Sequence, residues 1–84
     1  MSYAVFILRR AQSELAALPQ DTYQRIKVAI SGLKEEARPH GCKKLTGREG
    51  WRIRVGAYRI IYEVDYAAHT VTVLHISHRR DVYR

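Results

Sequence analysis

The stretch Trp51-Arg52-Ile53-Arg54-Val55-Gly56-Ala57-Tyr58-Arg59-Ile60-Ile61-Tyr62-Glu63-Val64 decides the fold. Trp51, Ile53 and Val55 alternate with Arg52 and Arg54; after Gly56-Ala57, Tyr58, Ile60, Tyr62 and Val64 alternate with Arg59, Ile61 and Glu63. A period of two on both sides of a Gly-X pair reads as two amphipathic strands joined by a two-residue turn. That turn pairs Val55 with Tyr58, Arg54 with Arg59, Ile53 with Ile60 and Arg52 with Ile61. Directly paired residues share a face. One face is therefore apolar, from Trp51 to Val64, and the other carries Arg52, Arg54, Arg59, Ile61 and Glu63. Arg54 opposite Arg59 is a like-charge pair that costs stability. An anion site accounts for that cost, and so do two side chains splayed into water.

Working outward, Tyr3 to Leu8 is a short aromatic and branched run that reads as a buried strand. Ala11, Leu15 and Leu18 then recur at helical spacing until Pro19, which breaks one helix and suits the first turn of the next. In that second helix Tyr23, Ile26, Ile30 and Leu33 form an apolar stripe. Residues 38–50, with Pro39, Gly41, Gly47 and Gly50, read as a basic connector carrying a short edge strand near Leu45. A last strand spans Thr70 to Ser77, and its facing depends on the loop before it. A four-residue loop puts His75 on the apolar face and His78 on the basic one; a five-residue loop reverses them. The order strand, helix, helix, three strands predicts a small α+β fold, a helical hairpin on one face of a mostly antiparallel twisted sheet. The opposite face is then concave and basic.

The chain's 84 residues set one small domain, residues 1–84, and exclude a multidomain enzyme. Lys and Arg total 15 against 8 acidic residues. The first 37 residues carry a net +1 and the remainder +6, so the surplus belongs to the second half. Eleven of the fifteen cations are Arg, whose planar fork matches phosphate in bidentate fashion. A polyanion is the first partner this implies. Cys42 is the only cysteine, which excludes an intrachain disulfide and a thiolate metal site and suits a reducing cytoplasm. The opening apolar run is too short for a signal sequence or a membrane span.

Two motif blocks carry a resemblance. Lys44-Leu45-Thr46-Gly47 with Gly50 to Tyr62, and His78-Arg79-Arg80-Asp81-Val82-Tyr83, resemble the RelE/ParE toxin superfamily, in its RelE-like branch. The resemblance extends over nearly the whole chain and implies a RelE-like fold of the microbial ribonuclease type. It also implies the toxin of a type II toxin–antitoxin pair, cleaving messenger RNA in the ribosomal A site and silenced by an acidic antitoxin. Neither metal nor cofactor belongs to that chemistry. By motif position Arg59 and Arg79 match arginines that contact the scissile phosphate, Tyr83 matches a C-terminal tyrosine that orients the nucleotide, and Arg52 and Arg54 match positions that are often lysine. Lys43, Lys44, Arg48 and Arg80 read as contacts to RNA or the ribosome.

Cleaving RNA without a metal requires a base for the 2′-hydroxyl, stabilisation of a phosphorane and a proton for the leaving 5′-oxygen. Arginine supplies the second and, staying protonated, cannot supply the first. With arginine at positions 52 and 54, the base role moves elsewhere: His78 is the candidate and Tyr83 the runner-up. Plainer readings apply to other residues. Trp51, Tyr58 and Tyr62 belong to the core face, His75 in mid-strand reads as a packed or hydrogen-bonded histidine, and His40 and His69 lack metal-ligand spacing. Two competing functions share the fold: a ParE-like inhibitor of DNA gyrase that cuts no RNA, and a non-catalytic RNA-binding relic.

Overall fold

A computed structural model describes residues 2–78. The elements are β1 (Ala4–Ile7), α1 (Arg9–Ala16), α2 (Gln20–Gly32), β2 (Lys43–Lys44), β3 (Trp51–Val55), β4 (Tyr58–Asp65) and β5 (Thr70–His78). The five strands form one sheet in the order β1-β5-β4-β3-β2, with β1 parallel to β5 and every other pair antiparallel. The expected α+β layer is present, and β2 is the short edge strand anticipated near Leu45. Among the described residues no helix is long and apolar enough to cross a membrane.

The β3–β4 hairpin has the register that its turn dictates, from Val55 opposite Tyr58 to Trp51 opposite Tyr62. Gly56 takes a positive φ of 60° and Ala57 does not, the requirement of a type II′ turn for glycine at the first loop position. Pro19 stands at the start of α2, and its carbonyl accepts the first helical hydrogen bond, from Tyr23 N–H at 2.8 Å. The stripe Ile26, Ile30 and Leu33 joins Ala11 and Leu15 of α1 on the sheet residues Ile60, Tyr62, Val71, Val73 and Ile76. Tyr62 is wholly buried in this core and donates its hydroxyl to the Ala37 carbonyl at 2.8 Å, pinning the start of the connector to the sheet.

The β4–β5 hairpin departs from a simple ladder. Its loop is the four residues Tyr66 to His69, and the register runs regularly from Asp65 opposite Thr70 to Tyr62 opposite Val73. There a bulge intervenes, because Ile61 pairs with His75 and leaves Leu74 as an extra residue. Beyond it Ile60 pairs with Ile76, Arg59 with Ser77 and Tyr58 with His78. The facing expected from a four-residue loop is thereby reversed. His75 lies on the arginine face, and His78 lies on the apolar face, its ring edge-on to Tyr58 at 5.1 Å.

Candidate nucleic-acid interface

The face of the sheet turned away from the helices holds two rows of side chains. The first runs across β2, β3, β4 and β5 as Lys43, Arg52, Ile61 and His75, each paired with the next. The second is Arg54, Arg59 and Ser77. The sequence placed Arg54 opposite Arg59, and the register does the same. Arg59 is 5% exposed, whereas Arg54 reaches into solvent. Gly41, Lys43, Arg52, Arg54 and Arg59 line a cavity of about 280 Å³. Four of these five residues are cationic and none is acidic, so the cavity suits an anion whose charge repays the proximity of like charges.

A second cavity, about 520 Å³, adjoins the His75 end of the first row. Leu8, Leu45, Ile61 and Leu74 give it an apolar floor, and Arg10 and Arg48 stand at its sides. Arg48, expected as an RNA or ribosome contact, is therefore separated from Lys43 in the arginine cavity. Lys44, the other expected lysine, turns to the opposite side of its strand, its ammonium 5.5 Å from the Trp51 ring centroid. Arg38 approaches the same ring at 5.4 Å and that of Tyr66 at 5.6 Å.

His75 is tied to α1. Its Nδ1 lies 2.9 Å from Glu14 Oε1 and 2.8 Å from Oε2, and Ile76 N–H donates to Oε1 at 2.8 Å. Strand β1 pairs with β5 only as far as Val73. The Glu14 carboxylate therefore satisfies a strand N–H past the point where β1 turns into α1. Arg10, one turn earlier, approaches the same carboxylate at 3.4 Å. Nothing in the sequence marks this contact, since Glu14 and His75 are 61 residues apart and the bulge decides that they meet.

The structure thus brings Arg52, Arg54, Arg59 and Lys43 together and leaves His78 on the other face. A four-residue loop alone puts His78 on the arginine face, and the bulge at Leu74 is the reason it lies on the other. Arg79, Arg80 and Tyr83 lie outside the described residues. Tyr62 is removed from proton chemistry, because burial, with Cys42 beside it, pushes its phenol far above the usual tyrosine range.

The family model described as the ParE toxin of the type II toxin–antitoxin system parDE matches residues 5–83. Toxin RelG of Mycobacterium tuberculosis is 31% identical over 88 aligned positions, covering all of this chain and 99% of that protein. Among solved structures, the archaeal RelE–RelB complex from Pyrococcus horikoshii superposes with a TM-score of 0.84 at 29% identity, covering 94% of this chain and 97% of the other. The toxin–antitoxin complex RelBE2 from Mycobacterium tuberculosis gives 0.83 at 27% identity, covering 94% and 100%.

Proposed function

The chain belongs to the ParE toxin family of type II toxin–antitoxin systems, within the RelE/ParE superfamily, and on that footing we propose that it is a ribosome-dependent endoribonuclease that cleaves messenger RNA in the A site. The observation carrying this reading is the arginine cavity, in which Arg52, Arg54, Arg59 and Lys43 converge with no acidic residue among the described residues that line it. The scissile phosphate sits among these forks. When the 2′-oxygen attacks phosphorus, the equatorial oxygens gain charge, and pre-placed guanidinium groups stabilise that charge more than they stabilise the ground state. Arg79 and Tyr83 complete the set by their resemblance to the family motif, Arg79 on the phosphate and Tyr83 against the nucleotide. Lys43, Arg48 and Arg80 serve the surrounding RNA.

The RelE proteins of the solved complexes are bound to RelB antitoxins, and a chain with a net charge of +7 suits an acidic antitoxin that folds on contact and covers the arginines. Both partners belong in the cytoplasm. A second reading starts from the matching family model, that of a ParE toxin, and takes the alternative that the resemblance leaves open: an inhibitor of DNA gyrase that cuts no RNA.

One assay separates the readings. Purified protein is incubated with a defined messenger RNA, with and without programmed ribosomes whose A site is empty, and fragment ends are mapped. The nuclease reading expects codon-positioned cuts that require the ribosome and fall by about 10²- to 10³-fold in Arg59→Ala, the cost of removing one donor to a developing oxyanion. Intact RNA alongside inhibited gyrase supercoiling moves the assignment to the second reading. Ribosome binding should weaken steeply as salt rises, because phosphate contacts release counterions.

A further inference from the structure

We infer that His75, held by Glu14, is the general base of the cleavage reaction, an assignment that rests on the nuclease reading above. The need for such a group is chemical. Three of the four cations lining the cavity, at 52, 54 and 59, are arginine, and arginine neither gives up nor takes a proton at working pH; the fourth, Lys43, stands on the two-residue edge strand β2, at the opposite end of the row from His75. His78 lies across the sheet from them.

Three observations converge on His75. The first is place: the bulge at Leu74 turns His75 onto the arginine face, in the same cross-strand row as Arg52 with only Ile61 between them. At about 4.8 Å per strand the two backbones are roughly 10 Å apart, and both side chains rise from the same surface. Arg59 is the diagonal neighbour, paired with Ser77 two residues along β5. The two cavities share no lining residue, so the assignment requires the phosphate to sit at the Arg52 and Arg59 side of the arginine cavity with the ribose over Ile61, between the two.

The second observation is the contact that assigns the tautomer. Both oxygens of Glu14 lie within 2.9 Å of Nδ1, and an ionised carboxylate only accepts hydrogen bonds. Nδ1 is consequently the donor, and in the neutral ring the lone pair resides on Nε2. The third is access: the His75 side chain is 29% exposed and lines the 520 Å³ cavity. Its Nε2 is thus an acceptor set in an open pocket, with its orientation fixed from behind.

In the proposed step the 2′-hydroxyl gives its proton to His75 Nε2 as the 2′-oxygen bonds to phosphorus, and the bond from phosphorus to the 5′-oxygen breaks. The 5′-oxygen takes a proton from water, and the products are a 2′,3′-cyclic phosphate and a 5′-hydroxyl. The imidazolium, facing Glu14, then returns its proton to solvent. Glu14 is a positioning residue: it also accepts from Ile76 N–H and receives Arg10 at 3.4 Å. Among the described residues, the other charged groups around the ring are Arg48 beside the cavity, Arg59 diagonally on β4 and Arg52 across Ile61 on β3.

The test is single-turnover cleavage by the full chain on programmed ribosomes from pH 5 to pH 9. Wild-type rates should rise with pH as the base loses its proton, and His75→Gln should lose about 10²- to 10⁴-fold together with that rising limb. Glu14→Gln keeps an acceptor for Ile76 N–H and should show a smaller loss with an altered pH profile. His40→Ala, in the exposed connector, is the control. A His75→Gln protein that cuts at the wild-type rate with the wild-type profile overturns the assignment and leaves the nuclease reading standing. A wild-type protein that cuts no RNA in this setting overturns the reading, and the assignment with it. A check needing no substitution is the ¹⁵N spectrum of the imidazole in the wild-type chain: an Nδ1–H tautomer at His75 is expected, and an Nε2–H tautomer overturns the role of base.

Discussion

The two hairpins that share β4 are built differently. Between β3 and β4 a glycine turn sets an uninterrupted ladder, and every residue faces as simple alternation requires. Between β4 and β5 the ladder slips by one residue at Leu74, and the slip is secured by Glu14 from α1. The first hairpin holds charge in place: it sets Arg54 against Arg59 and Arg52 within the same cavity. The second changes direction, sending one histidine to each face of the sheet. A regular ladder repeats one chemistry along a face, and a bulge is needed to introduce a different one.

Four substitutions break or sharpen this contrast, from the largest effect to the smallest. Ile60→Ala strikes both hairpins at once, since Ile60 is fully buried between Ile53 and Ile76. It should cost about 2 to 5 kcal/mol in urea unfolding, the range for truncating a buried aliphatic side chain to alanine. Tyr62→Phe, next to the bulge, leaves the buried Ala37 carbonyl without its donor. A loss of about 1 to 3 kcal/mol is expected by the same measurement. Gly56→Ala forces a positive φ on a residue with a Cβ and should cost about 1 to 2 kcal/mol, confined to the first hairpin and visible as faster amide exchange around its turn. Arg54→Thr removes the like-charge pair. It should raise stability by about 0.2 to 1 kcal/mol while RNA cleavage falls. Increased stability with unchanged cleavage would show that the pair has no part in holding the phosphate.

The legibility of the sequence follows the same division. Arg52, Arg54 and Arg59 were readable as a cluster because Gly56-Ala57 leaves only one register for the strands it joins. The helices were readable because Pro19 separates two stripes of different phase. The site of His75 was not, since loop length alone predicts the wrong face for it and for His78. The bulge goes with a hydrogen bond from Ile76 N–H to Glu14, 62 residues away in sequence, and no local pattern encodes that pairing. The separation of Lys44 from Lys43 was implicit in strand alternation, but only the pairing of β2 with β3 shows which of them joins the arginines.

Trp51, the only tryptophan of the chain, has Arg38 and Lys44 close to its ring at the edge where β2 pairs with β3. Indole emission responds to nearby positive charge, so this edge contains its own optical reporter. A partner that draws either cation away, or that closes over the sheet edge, will change the colour and intensity of that single indole. Association can then be timed in a stopped-flow instrument on the unlabelled protein.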